Sequence, residues 1–126
     1  MSVIVVIEDD EQLRSLLVEW LTAEGHRVNV TVADARRADG LIATMPTADL
    51  LIVALIAPLS RGVERLRRAR CAHPGAPIVA TSAQLHPGVD AATAAAEALE
   101  VDRVVAKPFE REALLGVVRS LIGKPH

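Results

Sequence analysis

The hydrophobic pattern of the chain predicts strands and helices in regular alternation. Two continuous apolar runs, Val3 to Ile7 and Leu50 to Ala54, are typical of strands that are buried on both faces. The segment His26 to Val32 alternates apolar and polar residues, which predicts a less buried strand at the edge of the sheet. A fourth strand is predicted over Ile78 to Ser82, and a short fifth strand over Asp102 to Ala106.

Five helices are predicted between and after these strands. In the first helix, apolar residues recur at i, i+3, i+4, i+7 and i+8 and form one face: Leu13, Leu16, Leu17, Trp20 and Leu21. Asp10 is placed to cap this helix and Gly25 to end it. The last helix has the same five spacings and ends at Gly123. The three helices between them are predicted over Asp34 to Thr44, Ser60 to Ala72 and Gly88 to Leu99.

This order of elements predicts an α/β fold. Five successive strand–helix units argue for a flavodoxin-like, doubly wound, five-stranded parallel sheet with helices on both faces. The edge-like second strand agrees with the strand order 2-1-3-4-5. The length of 126 residues fits a single domain over 1–126, and we expect any output domain to lie beyond this chain.

Composition narrows the classes of function. The net charge of −2 gives no general attraction for nucleic acid, so direct nucleic-acid binding is not expected. Cys71 is the single cysteine, which excludes an intrachain disulfide and a cysteine metal cluster. The chain starts without a basic signal-peptide segment, and its first apolar run is too short to span a bilayer. We therefore expect a cytoplasmic protein that does not bind membranes.

Polar and charged residues follow several of the predicted strands. Glu8 and Asp9 come after the first strand, Ser82 ends the fourth, and Lys107 follows the fifth. Ligands of doubly wound sheets bind beyond the carboxyl ends of the strands. Two acids, a hydroxyl and a lysine should therefore converge around Ala54, the last residue of the third strand.

This constellation resembles the receiver domain of two-component response regulators. Four stretches carry the resemblance: VIVVIEDDEQLRSLL, DLLIVALIAPLSRG, PIVATSA and VVAKPF. They contain an acidic doublet, the loop residues Pro58 and Gly62, a Ser82–Ala83 pair and a Lys107–Pro108 pair, all in the family's order. In that family an aspartate at the end of the third strand accepts a phosphoryl group from a histidine kinase. The resemblance puts this acceptor at position 54, where the chain has alanine.

Two further positions depart from the family pattern. The family usually has Tyr or Phe three residues before the lysine, and the rotation of that ring reports phosphorylation; here the residue is Val104. The small Gly-Ala step that often precedes the fifth strand is replaced by Glu100-Val101. The resemblance thus implies that both the acceptor and its aromatic reporter are missing, while Pro108 keeps a structural role after a cis peptide bond.

The chemistry of the pocket follows from the alanine. Phosphoryl transfer to a carboxylate needs a nucleophile, a divalent metal and a nearby cation. Ala54 removes the nucleophile and one anionic metal ligand, so Glu8 and Asp9 alone should bind Mg²⁺ only weakly, and no other cofactor is expected. With Lys107 the pocket charge is −2 + 1 = −1. We expect Lys107 to pair with Asp9 or Glu8, and a carboxylate restored at position 54 to raise the affinity for Mg²⁺.

The sequence therefore predicts an atypical receiver domain that is not an enzyme. It would act in two-component phosphorelay signalling through phosphorylation-independent protein interaction or dimerisation. Two alternatives stay open: an ordinary response regulator with an engineered Asp-to-Ala change at position 54, and a flavodoxin-like domain that binds a small ligand or acts as an enzyme. The chain has neither GxGxxG nor GxxxxGK[ST], which argues against a nucleotide-binding loop.

Two surfaces are candidates for partner binding. In the family, the fourth helix, fifth strand and fifth helix bind signalling partners or a second copy; the alanines of the predicted fourth helix would allow close approach, but they equally suit packing on the sheet. The predicted third helix is rich in arginine and is interpreted as a solvated face or as a docking face for an acidic partner or RNA: Arg61, Arg65, Arg67, Arg68 and Arg70. His73 and His86 lie beside prolines and are interpreted as surface residues.

Overall fold

The computed structural model describes residues 2–31, 48–56, 58–83 and 89–123. Within these residues the strands are β1 Val3–Ile7, β2 Arg27–Thr31, β3 Leu50–Ala54, β4 Ile78–Ser82 and β5 Arg103–Ala106. The helices are α1 Glu11–Ala23, α2 Leu59–Ala72, α3 Val89–Leu99 and α4 Arg111–Ile122. The helix predicted over Asp34 to Thr44 and the residue His86 lie outside the described residues. The third, fourth and fifth helices predicted from the sequence are therefore labelled α2, α3 and α4 in the structure.

The five strands form one parallel sheet in the order β2-β1-β3-β4-β5. This confirms the predicted topology, including the position of β2 at an edge. Val30, which the alternation placed on the apolar face of β2, is 40% exposed, so this edge strand is less buried on its apolar side than the pattern predicted. The sequence order reverses between β1 and β3, which makes the carboxyl ends of these two strands the expected place for a binding site.

Helices cover both faces of the sheet, as predicted. On one face, residues of β1, β3 and β4 pack against α1 and α4: Ile4, Val6, Leu50, Ile52 and Val79 with Leu17, Leu21, Leu114, Leu115 and Val118. On the other face, alternate residues of the same strands pack against α2: Val5, Ile7, Leu51, Val53 and Ile78 with Leu66 and Ala69. Continuous apolar runs in the strands are required because both faces of the sheet are buried.

Two aspartates at the amino ends of strands fix the register of the sheet. The backbone N–H of Val3 donates to Asp49 Oδ2 at 2.7 Å, and the backbone N–H of Ile78 donates to Asp102 Oδ2 at 2.8 Å. The same aspartates donate their own N–H groups back to Val3 O at 2.7 Å and Ile78 O at 3.1 Å. Each aspartate therefore extends the hydrogen-bond ladder by one rung and satisfies an N–H that would otherwise be left without a partner.

Helix α1 begins as predicted, but its apolar face is narrower. Asp10 Oδ1 accepts hydrogen bonds from the backbone N–H groups of Gln12 at 2.9 Å and Leu13 at 3.1 Å, which makes it the N-cap. Leu16, which was predicted on the buried face, is 42% exposed. Leu17 and Leu21, predicted on the same face, are fully buried, and Leu13 and Trp20 pack partly buried against the same core.

The carboxyl end of α1 is tied to α4 by an ion pair. Arg119 donates from Nε to Glu24 Oε2 at 3.2 Å and from Nη2 to Glu24 Oε1. The hydrogen bond from Arg119 lowers the pKa of the Glu24 carboxyl from its usual value. The pair lies at the amino-end side of the sheet, where α1 leads into β2, and links the two helices that share one face of the sheet.

The interpretation of His73 as a surface residue is wrong. Its side chain is 1% exposed at the end of α2, and its Nδ1 accepts a hydrogen bond from the backbone N–H of Ala48 at 3.2 Å. Burial lowers the pKa of His73 below its ordinary value of 6.5. Burial also lowers the pKa of His26, which lies buried between α1 and β2, and outweighs the opposing effect of Glu24.

We predict that the free energy of unfolding falls as the pH drops below about 6.5. His26 and His73 have lower pKa values in the folded state, so the unfolded chain takes up protons first and gains stability at acid pH. The His73→Asn variant keeps an acceptor for the Ala48 N–H but cannot titrate, so its stability should fall less steeply. Urea unfolding at about pH 7.5 and about pH 5.5 measures both slopes. Equal stability of the wild type at the two pH values would contradict the prediction.

Candidate functional site at the carboxyl end of the sheet

The register of the strands brings the predicted site residues to one edge of the sheet. Ile7 is aligned with Val53, so Glu8 follows next to Ala54. Ala54 is aligned with Thr81 of β4, directly before Ser82. The backbone N–H of Lys107 donates to Ser82 O at 2.8 Å. The acids, the alanine, the serine and the lysine therefore converge as the strand pattern predicted.

The Glu8 carboxylate forms an ion pair with Lys107 through Oε1 and accepts a backbone hydrogen bond through Oε2. The carboxylate is 2% exposed, and Lys107 Nζ lies 2.8 Å from its Oε1. The other oxygen, Oε2, accepts the backbone N–H of Asp10 at 3.0 Å, and the carbonyl of Glu8 accepts from Arg14 Nη1 at 3.1 Å. The prediction that Lys107 pairs with one of the two acids is confirmed for Glu8. This pair joins the carboxyl ends of β1 and β5 across the top of the sheet.

Asp9 is paired with a residue that the sequence analysis assigned to the surface. Arg65 Nη1 lies 2.8 Å from Asp9 Oδ2, and Arg65 Nη2 lies 3.0 Å from Asp9 Oδ1. Arg65 Nη1 also donates to the backbone carbonyl of Ala54 at 3.0 Å. Arg65 is only 8% exposed. The interpretation of the arginine-rich helix as a solvated or docking face is therefore wrong for Arg65.

Helical phase explains why Arg65 points inward. The buried residues of α2 and its end recur at i, i+3, i+4, i+7 and i+11: Gly62, Arg65, Leu66, Ala69 and His73. Gly62 lets the helix approach the loop after β3, because a Cβ there would lie 3.3 Å from Ile56 O. The missed signal was an arginine on the sheet-facing stripe in the middle of the helix.

The remaining arginines of α2 have other surroundings. Arg67 and Arg68 are exposed and pair with Glu64 on the same helix, Arg68 Nε at 3.1 Å from Glu64 Oε1. Arg70 Nη2 donates to the carbonyls of Leu99 at 2.5 Å and Glu100 at 3.1 Å. Arg70 thus fastens α2 to the end of α3, and the exposed positive face is smaller than the sequence suggested.

Arg65 changes the charge of the pocket from the predicted value. Glu8 and Asp9 contribute −2, and Lys107 and Arg65 contribute +2, so the four groups sum to zero. The predicted sum of −1 omitted Arg65. Each carboxylate has its own cation, which removes the repulsion that two adjacent carboxylates would otherwise exert on one another.

The other predicted pocket residues are buried or lie at the rim. Ala54 is 2% exposed, and its methyl group ends β3 between Glu8 and Thr81. Val104 is buried and belongs to a small cluster with Ala80 and Ala96 beneath α3. Ser82 is also buried, and the Lys107–Pro108 peptide bond is cis.

The family model described as the response regulator receiver domain matches residues 4–119. The chain belongs to the response regulator receiver domain family. This family acts in two-component signalling, and its domains are signalling modules and not catalysts. Glu8, Asp9, Ala54, Ser82 and Lys107 lie together at the carboxyl ends of the strands, which is where the resemblance to this family placed the site.

Relatives and solved structures agree with this family. The transcriptional regulatory protein CpxR of Klebsiella pneumoniae is 30% identical over 127 residues, which is 100% of this chain and 51% of that protein. The receiver domain thus spans about half the length of the curated relatives that it matches. A two-component response regulator from Clostridium difficile has a TM-score of 0.76 at 21% identity, covering 97% of this chain and 96% of that chain.

A third similar protein carries a metal ion. The receiver domain of the sensor histidine kinase PA1611 from Pseudomonas aeruginosa PAO1 has a TM-score of 0.71 at 23% identity, with 98% of each chain covered. Its structure has a magnesium ion coordinated in the active-site cleft. At these identities the two solved structures support the fold of this receiver domain.

In the part of the chain that is described, no helix is long and apolar enough to cross a membrane.

We predict that Asp9→Asn destabilises the domain by roughly 3 kcal/mol, because it leaves the buried Arg65 without a counter-charge. The matched control is Glu64→Gln, which removes the exposed partner of Arg67 and Arg68 on the same helix and should cost far less. Denaturant unfolding of the two variants at neutral pH measures the difference. Equal losses of stability would show that the Asp9–Arg65 pair is no stronger than a surface pair.

Proposed function

We propose that this domain is an atypical receiver that lacks a phosphoacceptor and acts through protein contacts that do not depend on phosphorylation. The observation that carries the proposal is Ala54. A methyl group ends β3 where Glu8, Ser82 and Lys107 converge, and no acidic residue occurs from Leu50 to Arg61. Transfer of a phosphoryl group to a carboxylate requires a nucleophilic oxygen at this place, and alanine has none.

The surroundings of Val104 support the same proposal. Val104 packs against Ala80 and Ala96, and its short, β-branched side chain has no second, exposed position comparable to that of a rotating aromatic ring. A phosphorylation signal would therefore lack both its origin at Ala54 and its reporter in β5. What remains of the receiver is the scaffold and its surface.

We propose that the partner surface is formed by α3, β5 and α4. Strand β5 is an edge strand, with Val104 packed toward α3 and Val105 toward the core that contains α4, so the two helices flank its free edge. Exposed residues on these three elements include Ala94, Ala98, Arg103 and Ala113. The occupant would be another signalling protein or a second copy of this domain.

The arginine-rich surface of α2 is a weaker candidate for an acidic partner. Arg65 and Arg70 are used within the fold, and Arg67 and Arg68 already pair with Glu64. We expect no direct nucleic-acid binding, because two of the three exposed arginines of this helix, Arg67 and Arg68, pair with Glu64 and the chain is acidic overall.

An engineered alanine in an ordinary response regulator is the rival explanation of Ala54. Three further features argue for natural divergence: Val104 in β5, Glu100 before it, and Arg65 paired with Asp9. A single engineered substitution would account for none of them. A flavodoxin-like enzyme is disfavoured by the family match over residues 4–119.

We predict that the domain forms no phosphoryl adduct when it is incubated with acetyl phosphate and Mg²⁺. Intact-mass measurement should find only the unmodified chain, because position 54 offers no carboxylate. A receiver domain with aspartate at the end of its third strand serves as the positive control under the same conditions. An adduct with the hydroxylamine lability of an acyl phosphate would refute the proposal.

We predict that self-association, if the occupant is a second copy, is weakened roughly tenfold by Arg103→Glu on the free edge of β5. Glu19→Arg on the exposed side of α1 is the control, with a charge change of the same size and opposite sign on an element outside this surface. Sedimentation equilibrium with and without acetyl phosphate and Mg²⁺ measures both variants. A dimer that strengthens with the phosphodonor would contradict phosphorylation-independent action, and a monomer at all concentrations would leave a different signalling protein as the partner.

A further inference from the structure

The buried guanidinium of Arg65 is a feature of the pocket that the proposed function does not require. We infer that it stands in place of a divalent cation, so that the pocket carries its own covalently attached positive charge and excludes Mg²⁺. The inference goes beyond the proposed function, because it concerns the cation of the pocket and not the phosphoryl group.

The geometry shows which oxygen atoms Arg65 occupies. Its Nη1 donates to Asp9 Oδ2 at 2.8 Å and to the carbonyl of Ala54 at 3.0 Å, while its Nη2 donates to Asp9 Oδ1 at 3.0 Å. A carboxylate and a backbone carbonyl are the hard oxygen ligands that Mg²⁺ prefers. Here the guanidinium bridges them, from the acidic turn after β1 to the end of β3.

The second carboxylate of the pocket is equally unavailable to a metal. Glu8 Oε1 faces Lys107 Nζ at 2.8 Å, and Glu8 Oε2 accepts the Asp10 N–H at 3.0 Å. Among residues 2–31, 48–56, 58–83 and 89–123, no three His, Cys, Asp or Glu side chains are grouped as metal ligands. The residues present at this site therefore do not fit a divalent cation.

Charge makes the exclusion stronger than the loss of one ligand. The two carboxylates and the two cations are already balanced, so a dication would bring an excess of +2 into a pocket whose charged side chains are only 3 to 28% exposed. Mg²⁺ would have to break a bidentate arginine–carboxylate pair, and the displaced guanidinium would then lie close to the metal. Repulsion between unscreened cations at such distances is severe away from bulk water.

The tether explains why an arginine can compete with a metal in solution. Arg65 is carried by α2, whose close approach to the loop after β3 is permitted by Gly62. Attachment to the chain gives the guanidinium a high effective concentration that does not vary with the ionic composition of the cell. The pocket therefore has one charge state at all Mg²⁺ concentrations, and α2 stays fastened to the turn after β1.

The test is a titration with Mn²⁺, followed by paramagnetic broadening of amide signals, with Mg²⁺ as the competitor. The proteins are the wild type, Ala54→Asp, Arg65→Met, the double variant that combines both changes, and Arg67→Met as a control on the exposed side of α2. We expect no saturable broadening near Asp9 and Ala54 in the wild type or in the control. Ala54→Asp should bind weakly, and the double variant should bind roughly tenfold more tightly than Ala54→Asp.

Each outcome decides the inference. The inference would be overturned if the wild type showed saturable broadening at the pocket and bound Mn²⁺ as tightly as the double variant does. Equal affinities of Ala54→Asp and the double variant would also overturn it, since Arg65 would then not compete with the metal. If Arg65→Met does not fold, Arg65→Lys replaces it in the double variant. Lysine keeps the charge but loses the bidentate fork, so we expect a Mn²⁺ affinity between those of Ala54→Asp and of the double variant with methionine. A phosphoryl adduct in the acetyl phosphate assay would refute the proposed function but leave this comparison unaffected.

Discussion

A buried guanidinium is tolerated only where its N–H groups find acceptors and its charge finds a counter-charge. Arg65 meets both conditions at the carboxyl end of the sheet, through both oxygens of Asp9 and the carbonyl of Ala54. The pair joins three parts of the chain that are distant in sequence: the turn after β1, the end of β3 and the middle of α2. This contact fastens α2 to the sheet, neutralises the charge of Asp9 and occupies both of its carboxylate oxygens.

The second pair, Glu8 with Lys107, complements the first. It links the turn after β1 to the segment after β5, so the two adjacent acids are held from opposite sides of the pocket. Adjacent carboxylates repel each other when they lack cations. In this chain the balance is provided by side chains. Ala54, whose carbonyl accepts from Arg65, and the Asp9–Arg65 pair are thus parts of one electrostatic arrangement.

The strand pattern was sufficient to predict most of the fold. Strands β1 and β3 are buried on both faces, and each appears in the sequence as a continuous apolar run. The edge strand β2 instead alternates apolar and polar residues, so the two kinds of strand could be told apart from the sequence. Residues just past the strands could be assigned to one site for the same reason, since parallel strands in known order share their carboxyl ends.

Arg65 and His73 show where such reasoning fails. Five arginines on one helix have the same charge and differ only in helical phase, and the partner of Arg65 lies 56 residues away. His73 is buried because its Nδ1 satisfies the N–H of Ala48 at the start of β3, a contact that no local pattern contains. In both cases a polar residue lies on the sheet-facing side of α2 or at its end. Arg65 finds its acceptor in Asp9, and His73 finds its donor in Ala48, each from a distant part of the chain. Helical phase was a usable signal for Arg65, whereas neither partner could be identified before the strands were aligned.

The proposed function and the inferred exclusion of Mg²⁺ together imply that control of this domain acts outside the pocket. A ligand shifts a conformational equilibrium only as far as it binds one state more tightly than the other. Under the proposed function and the inferred exclusion of Mg²⁺, neither a phosphoryl group nor a metal ion would have a differential affinity to contribute. The small side chains of Ala80, Ala96 and Val104 beneath α3 likewise leave no bulky group to rotate between two positions. The remaining variables are the concentration of the domain and the affinity of its surface for a partner, which makes the edge formed by α3, β5 and α4 the region where selection on function would act.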